Sequence, residues 1–99
     1  MNLKLENLEL SFGQNYDVPL INLILEELKA KYKVKETKKL NGIDQSYWDL
    51  KLNGLSFCLH YEHYLGVSLY YRSWFKREQA RKMLNEIADW ANTAFSNLE

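Results

Sequence analysis

Residues 47–61 read Tyr47-Trp48-Asp49-Leu50-Lys51-Leu52-Asn53-Gly54-Leu55-Ser56-Phe57-Cys58-Leu59-His60-Tyr61. Two runs with apolar side chains at every second position flank an Asn-Gly pair. Alternation of period two marks strands with one buried face. Asn-Gly tolerates the positive φ angles of a type I′ two-residue turn. Such a loop fixes the register, so Leu52 should face Leu55, Leu50 face Phe57, and Trp48 face Leu59. Side chains alternate across a sheet, so Lys51–Ser56, Asp49–Cys58 and Tyr47–His60 should pair on the other side. One side reads as core and the other as polar surface.

Toward the C-terminus, residues 62–66 reverse the chain. Val67, Leu69 and Tyr71 then point to the core, while Ser68, Tyr70 and Arg72 point away. Ser73-Trp74-Phe75 enters a helix predicted from about Lys76 to about Ser96. Ala80, Met83, Leu84, Ile87, Ala91, Ala94 and Phe95 form its apolar stripe, with Trp90 at the margin.

Toward the N-terminus, Asn2 to Phe12 reads as one strand. Leu3 and Leu5 share a parity that Leu8, Leu10 and Phe12 do not, so a bulge or short break is expected near Glu6-Asn7. Residues 13–16 form a turn, and Asp17 is a candidate N-cap, with Pro19 in the first helical turn. Leu20, Ile21, Ile24, Leu25 and Leu28 recur at helical spacing, predicting an amphipathic helix over 18–32. Lys33 to Leu40 reads as a polar edge strand whose lysines discourage pairing with other chains.

The order is therefore β-α-β-β-β-β-α. A helix after the first strand implies a crossover, and the later strands form an antiparallel meander. Two amphipathic helices need one apolar surface, and the sheet offers only one. The expected architecture is an α+β two-layer sandwich: a mostly antiparallel five-stranded sheet with two helices on one face, as a single domain over 1–99.

With 99 residues the chain suits a single core. Hydrophobic residues make up 46% and aromatics 14%, enough large side chains to fill it. The first residues lack the basic-then-apolar order of a signal peptide, and no apolar run could span a bilayer. Cys58 has no partner for an internal disulfide. These features fit a cytoplasmic, bacterial-type protein with no membrane association. Net charge is zero, but Lys29 to Lys39 carries six lysines against Glu36 alone.

Three constellations could carry chemistry. Cys58, His60 and Asp49 share the polar face, the pattern of an activated thiol nucleophile. However, Cys58 lies mid-strand, without the helix N-terminus or sharp turn that lowers a thiol pKa. Cys58, His60, Glu62 and His63 form an incomplete metal set whose members point to opposite sides of a strand. No P-loop or dinucleotide motif occurs, so no metal, cofactor or catalytic residue is assigned and a non-enzyme is expected. Lys33, Lys35 and Lys39 could line up charges for phosphates, but a neutral chain without RRM-like aromatics disfavours nucleic acid. Partner-binding residues are instead expected on the polar face: Tyr47, Asp49, Lys51, His60, Glu62, Tyr70 and Arg72, beside Cys58 and Ser68. Tyr and Arg bury area while still forming hydrogen bonds, which suits a protein interface.

Residues 47–61, followed by Leu65-Gly66-Val67-Ser68-Leu69-Tyr70, resemble small bacterial immunity proteins of contact-dependent and polymorphic toxin systems. Shared features are an aromatic-rich strand, an Asn-Gly turn, an apolar strand ending in His, and a Gly-Val-Ser strand. The resemblance implies a non-enzymatic inhibitor that binds a cognate toxin domain. Many immunity proteins are acidic to match basic nucleases, and the neutral charge here departs from that, which puts a nuclease target in doubt. The alternative is a regulatory or housekeeping domain that self-associates, as a homodimer, or binds nucleic acid through the Lys29–Lys39 edge.

Overall fold

The central hairpin forms in the expected register. Strands β4 (Gln45–Leu52) and β5 (Leu55–Glu62) pair antiparallel, with Leu52 opposite Leu55, Leu50 opposite Phe57 and Trp48 opposite Leu59. Asn53 and Gly54 carry φ of 51° and 84°, as a type I′ turn requires. Asn53 also ties the hairpin tip to the segment before the next strand outward. Its backbone N–H donates to Lys33 O at 2.9 Å, and its Oδ1 accepts from Lys33 N–H at 2.8 Å. Asn53→Ala removes that acceptor and leaves at positive φ a residue without the side-chain amide that helps Asn adopt the left-handed conformation. Urea unfolding should show a loss of about 1–3 kcal/mol, from one hydrogen bond together with the part of the left-handed penalty that Asn avoids and Ala does not. Asn53→Gly should lose less, because only the hydrogen bond goes.

The computed structural model describes Leu3 and residues 5–13, 18–42, 45–62 and 66–94. Around the hairpin lie β1 (Leu5–Glu6), β2 (Glu9–Gly13), α1 (Val18–Lys31), β3 (Val34–Asn41), β6 (Gly66–Tyr71) and α2 (Arg77–Ala94). The fold is α+β, with a six-stranded sheet in the order β1-β2-β6-β5-β4-β3. Every pairing is antiparallel. Helix α1 carries the chain from β2, near one edge, to β3 at the other.

The sixth strand corrects the expected five. Of the two expectations at Glu6-Asn7, a bulge or a short break, the break is found, and it is a full chain reversal: Asn7 and Leu8 adopt φ of 51° and 58°, and Leu5 pairs back onto Leu10. Leu8 accepts the strained backbone because its side chain is buried, with 1% exposure. Burial of a Leu side chain stabilises by roughly 1.5–3 kcal/mol, more than the left-handed conformation costs.

One face of the sheet carries the core. Leu10, Phe12, Trp48, Leu50, Leu52, Leu55, Phe57, Leu59, Val67, Leu69 and Tyr71 form one cluster with Leu20, Ile21, Ile24 and Leu28 of α1 and Ala80, Met83, Leu84, Ile87 and Ala91 of α2. Both helices thus cover the same side. Ala88 belongs to the α2 stripe, whereas Ala94, expected in it, is exposed. Asp17, His63 and Phe95 lie outside the described residues. Asn92 fastens α2 to the start of the chain, its Oδ1 accepting from Leu3 N–H at 2.6 Å. Among the described residues no helix is long and apolar enough to cross a membrane.

Candidate functional site: the uncovered sheet face

Alternation places the remaining strand side chains on the side away from the helices, and the register arranges them in rows. One row runs Leu40, Tyr47, His60, Ser68, Ser11; the next runs Lys38, Asp49, Cys58, Tyr70, Glu9. A third holds Lys35 opposite Lys51 and Lys51 opposite Ser56. Arg72 N–H donates to Ser56 O at 3.4 Å, which brings Arg72 level with that row. All seven expected partner-binding residues therefore share this face. Tyr47, Asp49, His60, Glu62 and Tyr70 are half-buried, and Lys51 and Arg72 are exposed.

The edge strand supplies residues that sequence periodicity missed. A bulge between Glu36 and Lys38 shifts the register of β3 against β4. Lys38 thereby joins Lys35 on the uncovered face, and Leu40, 51% exposed, lies beside Tyr47. Lys39, expected to alternate with Lys33 and Lys35, instead stands opposite Trp48, its ammonium 5.5 Å from the indole centroid. The bulge residue Thr37 donates its hydroxyl to Asp49 O at 3.1 Å. Strand polarity hid this, because the run between Val34 and Leu40 has no apolar residue to show a period.

At the centre, Arg72 Nη1 donates to Asp49 Oδ1 at 3.0 Å. Both partners are partly solvated, so the pair contributes little to stability, about 0–1 kcal/mol. Its effect is positional: it holds a guanidinium over the middle of the sheet. Lys38, Leu40, Tyr47, Asp49, Tyr70 and Arg72 line a depression of about 420 Å³ here. Tyr47 stacks on His60 with ring centroids 4.2 Å apart and planes 4° from parallel. His60 Nε2 is buried without a hydrogen-bond partner, and Glu62 Oε2 lies 4.0 Å away, too far for a direct bond.

Cys58 is fully buried beneath these groups. Burial pushes its thiol pKa up, Asp49 adds to the rise, and Tyr70 and Arg72 oppose it. A raised thiol is a poor source of thiolate at neutral pH. Its polar neighbours are Tyr70 and Asp49, and among the described residues no hydrogen bond joins it to His60. Nor do three or more His, Cys, Asp or Glu residues gather as a metal site among the described residues.

The Tyr70 pKa is pushed up to about 12, first by burial and then by the hydrogen bond and charge of Cys58. Tyr32, on the helix side, also rises to about 12, through burial and then through Glu86, to which its hydroxyl donates at 3.3 Å. A raised phenol pKa means that the folded state favours the neutral form. The resulting stability is complete below about pH 10, the unfolded value, and is lost as pH rises through about 12. Absorbance titration should show two late-ionising tyrosines, and denaturation midpoints should fall across that window. In Tyr32→Phe/Tyr70→Phe the fall should be shallower; an unchanged slope would disprove the assignment.

The site thus belongs to the class of open-faced α+β sandwiches, with one side of the sheet left to solvent or to a partner. Compared with known proteins, the chain matches no family model, no curated protein sequence and no solved structure.

Proposed function

We propose that this chain is a non-enzymatic binding protein that docks a protein partner on the uncovered sheet face, and that the partner is a bacterial toxin domain it neutralises. The observation that supports the reading is the placement of Tyr47, Tyr70 and Arg72 on one half-open face around the Asp49–Arg72 pair. Tyr and Arg are the side chains that most often dominate binding energy when a partner desolvates them. Resemblance of residues 47–70 to immunity proteins supplies the toxin. A cytoplasmic setting, where such a toxin would act, belongs to the same proposal.

The test is co-expression with the secreted toxin domain encoded beside this chain's gene. Cells should survive, and the two proteins should form a stoichiometric complex. A gene neighbourhood without any secreted toxin would count heavily against the reading. A second reading draws on the basic row Lys35, Lys51 and Arg72, which could meet phosphates of a nucleic acid. In that case an electrophoretic shift would weaken steeply as salt rises, because phosphate contacts release counterions.

A further inference from the structure

Trp74 is 85% exposed and Phe75 49%. Tryptophan is highly buried on average in folded proteins, because its ring brings so much apolar area. Leaving two large rings wholly or half in water forgoes the stabilisation that their burial would give.

The segment joining β6 to α2 nevertheless holds them outward by design. Tyr71 Oη donates to Phe75 O at 2.6 Å. Phe75 N–H donates to Ser73 Oγ at 3.4 Å, and Arg77 Nη1 donates to Ser73 O at 3.3 Å. Lys76 takes the left-handed conformation, φ 54°, before the helix starts. The two rings meet edge to face, with centroids 6.1 Å apart.

Lys76 and Arg77 lie beside this aromatic pair, and the sequence around them is basic. Residues 72–82 include Arg72, Lys76, Arg77, Arg81 and Lys82 against Glu78 alone; Arg72 is paired with Asp49 and Arg81 with Glu78, which leaves Lys76, Arg77 and Lys82 as the cations available to an anionic surface. The Lys76 ammonium lies 5.8 Å from the Phe75 ring centroid. Over the whole chain the net charge is zero, so this concentration is local.

We propose that the Trp74–Phe75 tip and its cations dock reversibly on an anionic phospholipid bilayer. Interfacial aromatic rings settle at headgroup level, where one end is apolar and the other wet. Each nearby unpaired Lys or Arg adds attraction to an anionic leaflet, which salt screens. Neither signal alone gives firm attachment, but the two together do. A protein hot spot would instead sit within a broad patch ringed by further contacts. Here an almost fully exposed indole stands against one other ring, with Lys76 beside it.

The test is flotation of the intact chain with vesicles of phosphatidylglycerol and phosphatidylcholine in equal parts, against phosphatidylcholine alone. Binding should appear on the anionic vesicles with a blue shift in tryptophan emission, and should fall roughly tenfold or more at high salt or on the neutral vesicles. Trp74→Ala/Phe75→Ala should lose roughly tenfold while keeping its circular dichroism and melting temperature, since neither ring is in the core. Soluble glycerophosphoglycerol in excess should not release the protein; release would mean headgroup phosphate alone is recognised and would overturn the bilayer assignment. Tyr70→Ala, on the sheet face, should float like the parent, which separates this surface from the toxin-docking one. Three further results would overturn the proposal: no binding to anionic vesicles, binding that the double variant retains, or concentration-dependent dimers that the double variant dissolves without any vesicle binding.

Discussion

Phe57→Ala should be the most damaging single substitution in the sheet, costing about 3–5 kcal/mol. The ring is 1% exposed, sits on the helix-covered side of β5, and meets Tyr71 at 5.1 Å between centroids. Its neighbours across the strands, Leu50 and Tyr71, are fixed by the hairpin and by β6, so they cannot close over the void. Domains of this size are stable by only about 5–15 kcal/mol, so the melting temperature should fall by roughly 15–30 °C. Lys51→Ala, on the neighbouring strand but the opposite face, should change stability by no more than about 0.5 kcal/mol. Equal losses in the two variants would mean the faces are not divided as described.

That division was legible because residues 47–61 carry several independent signals for the same answer. Alternation, β-forming residues and an Asn-Gly turn all specify one hairpin, and its register then dictates which residues share a face. Helix α1 was equally plain from the spacing of Leu20, Ile21, Ile24 and Leu28. The extra strand was not, because Asn7-Leu8 lacks the glycine that announces a tight turn. Leucine at positive φ is uncommon, and only its tertiary burial makes it tolerable here. The phase change marked the right place, but a bulge and a reversal shift parity alike.

Legibility of the site followed the same physics. Tyr47, Asp49, Lys51, His60, Glu62, Tyr70 and Arg72 were placed together because strand pairing carries a face assignment from one strand to the next. Lys38 and Leu40 were missed because their strand is polar and bulged at Thr37. Trp74 and Phe75 read as the entry to a buried helix, since composition alone does not distinguish an aromatic that packs from one that is held out. The available signal was the density of Arg and Lys from Arg72 to Lys82, which a core segment would not carry.

Asp49→Arg should separate folding from binding more sharply than any other change on the uncovered face. Asp49 lies opposite Lys38 and Cys58, bonds Arg72 at 3.0 Å, and precedes Lys51 by two positions on the same side. Reversing its charge leaves four cations without an intervening acid, yet each can extend into water, so the folding cost should stay near 1 kcal/mol. In a complex the same groups lose that solvent. Charges mismatched at the centre of a closed interface cost about 2–5 kcal/mol, equivalent to a loss of roughly 30-fold or more in affinity for the toxin domain proposed as partner. Calorimetry on that complex reads the loss directly, with Lys31→Glu at the end of α1 as a charge reversal on the covered side that should leave affinity unchanged. Full affinity in the Asp49 variant, or an equal loss in the Lys31 variant, would remove the sheet face from the interface. Buried thiol Cys58 offers a second readout on the same sample: it should resist maleimide in both variants, so that any loss of binding is traced to the surface and not to an opened sheet.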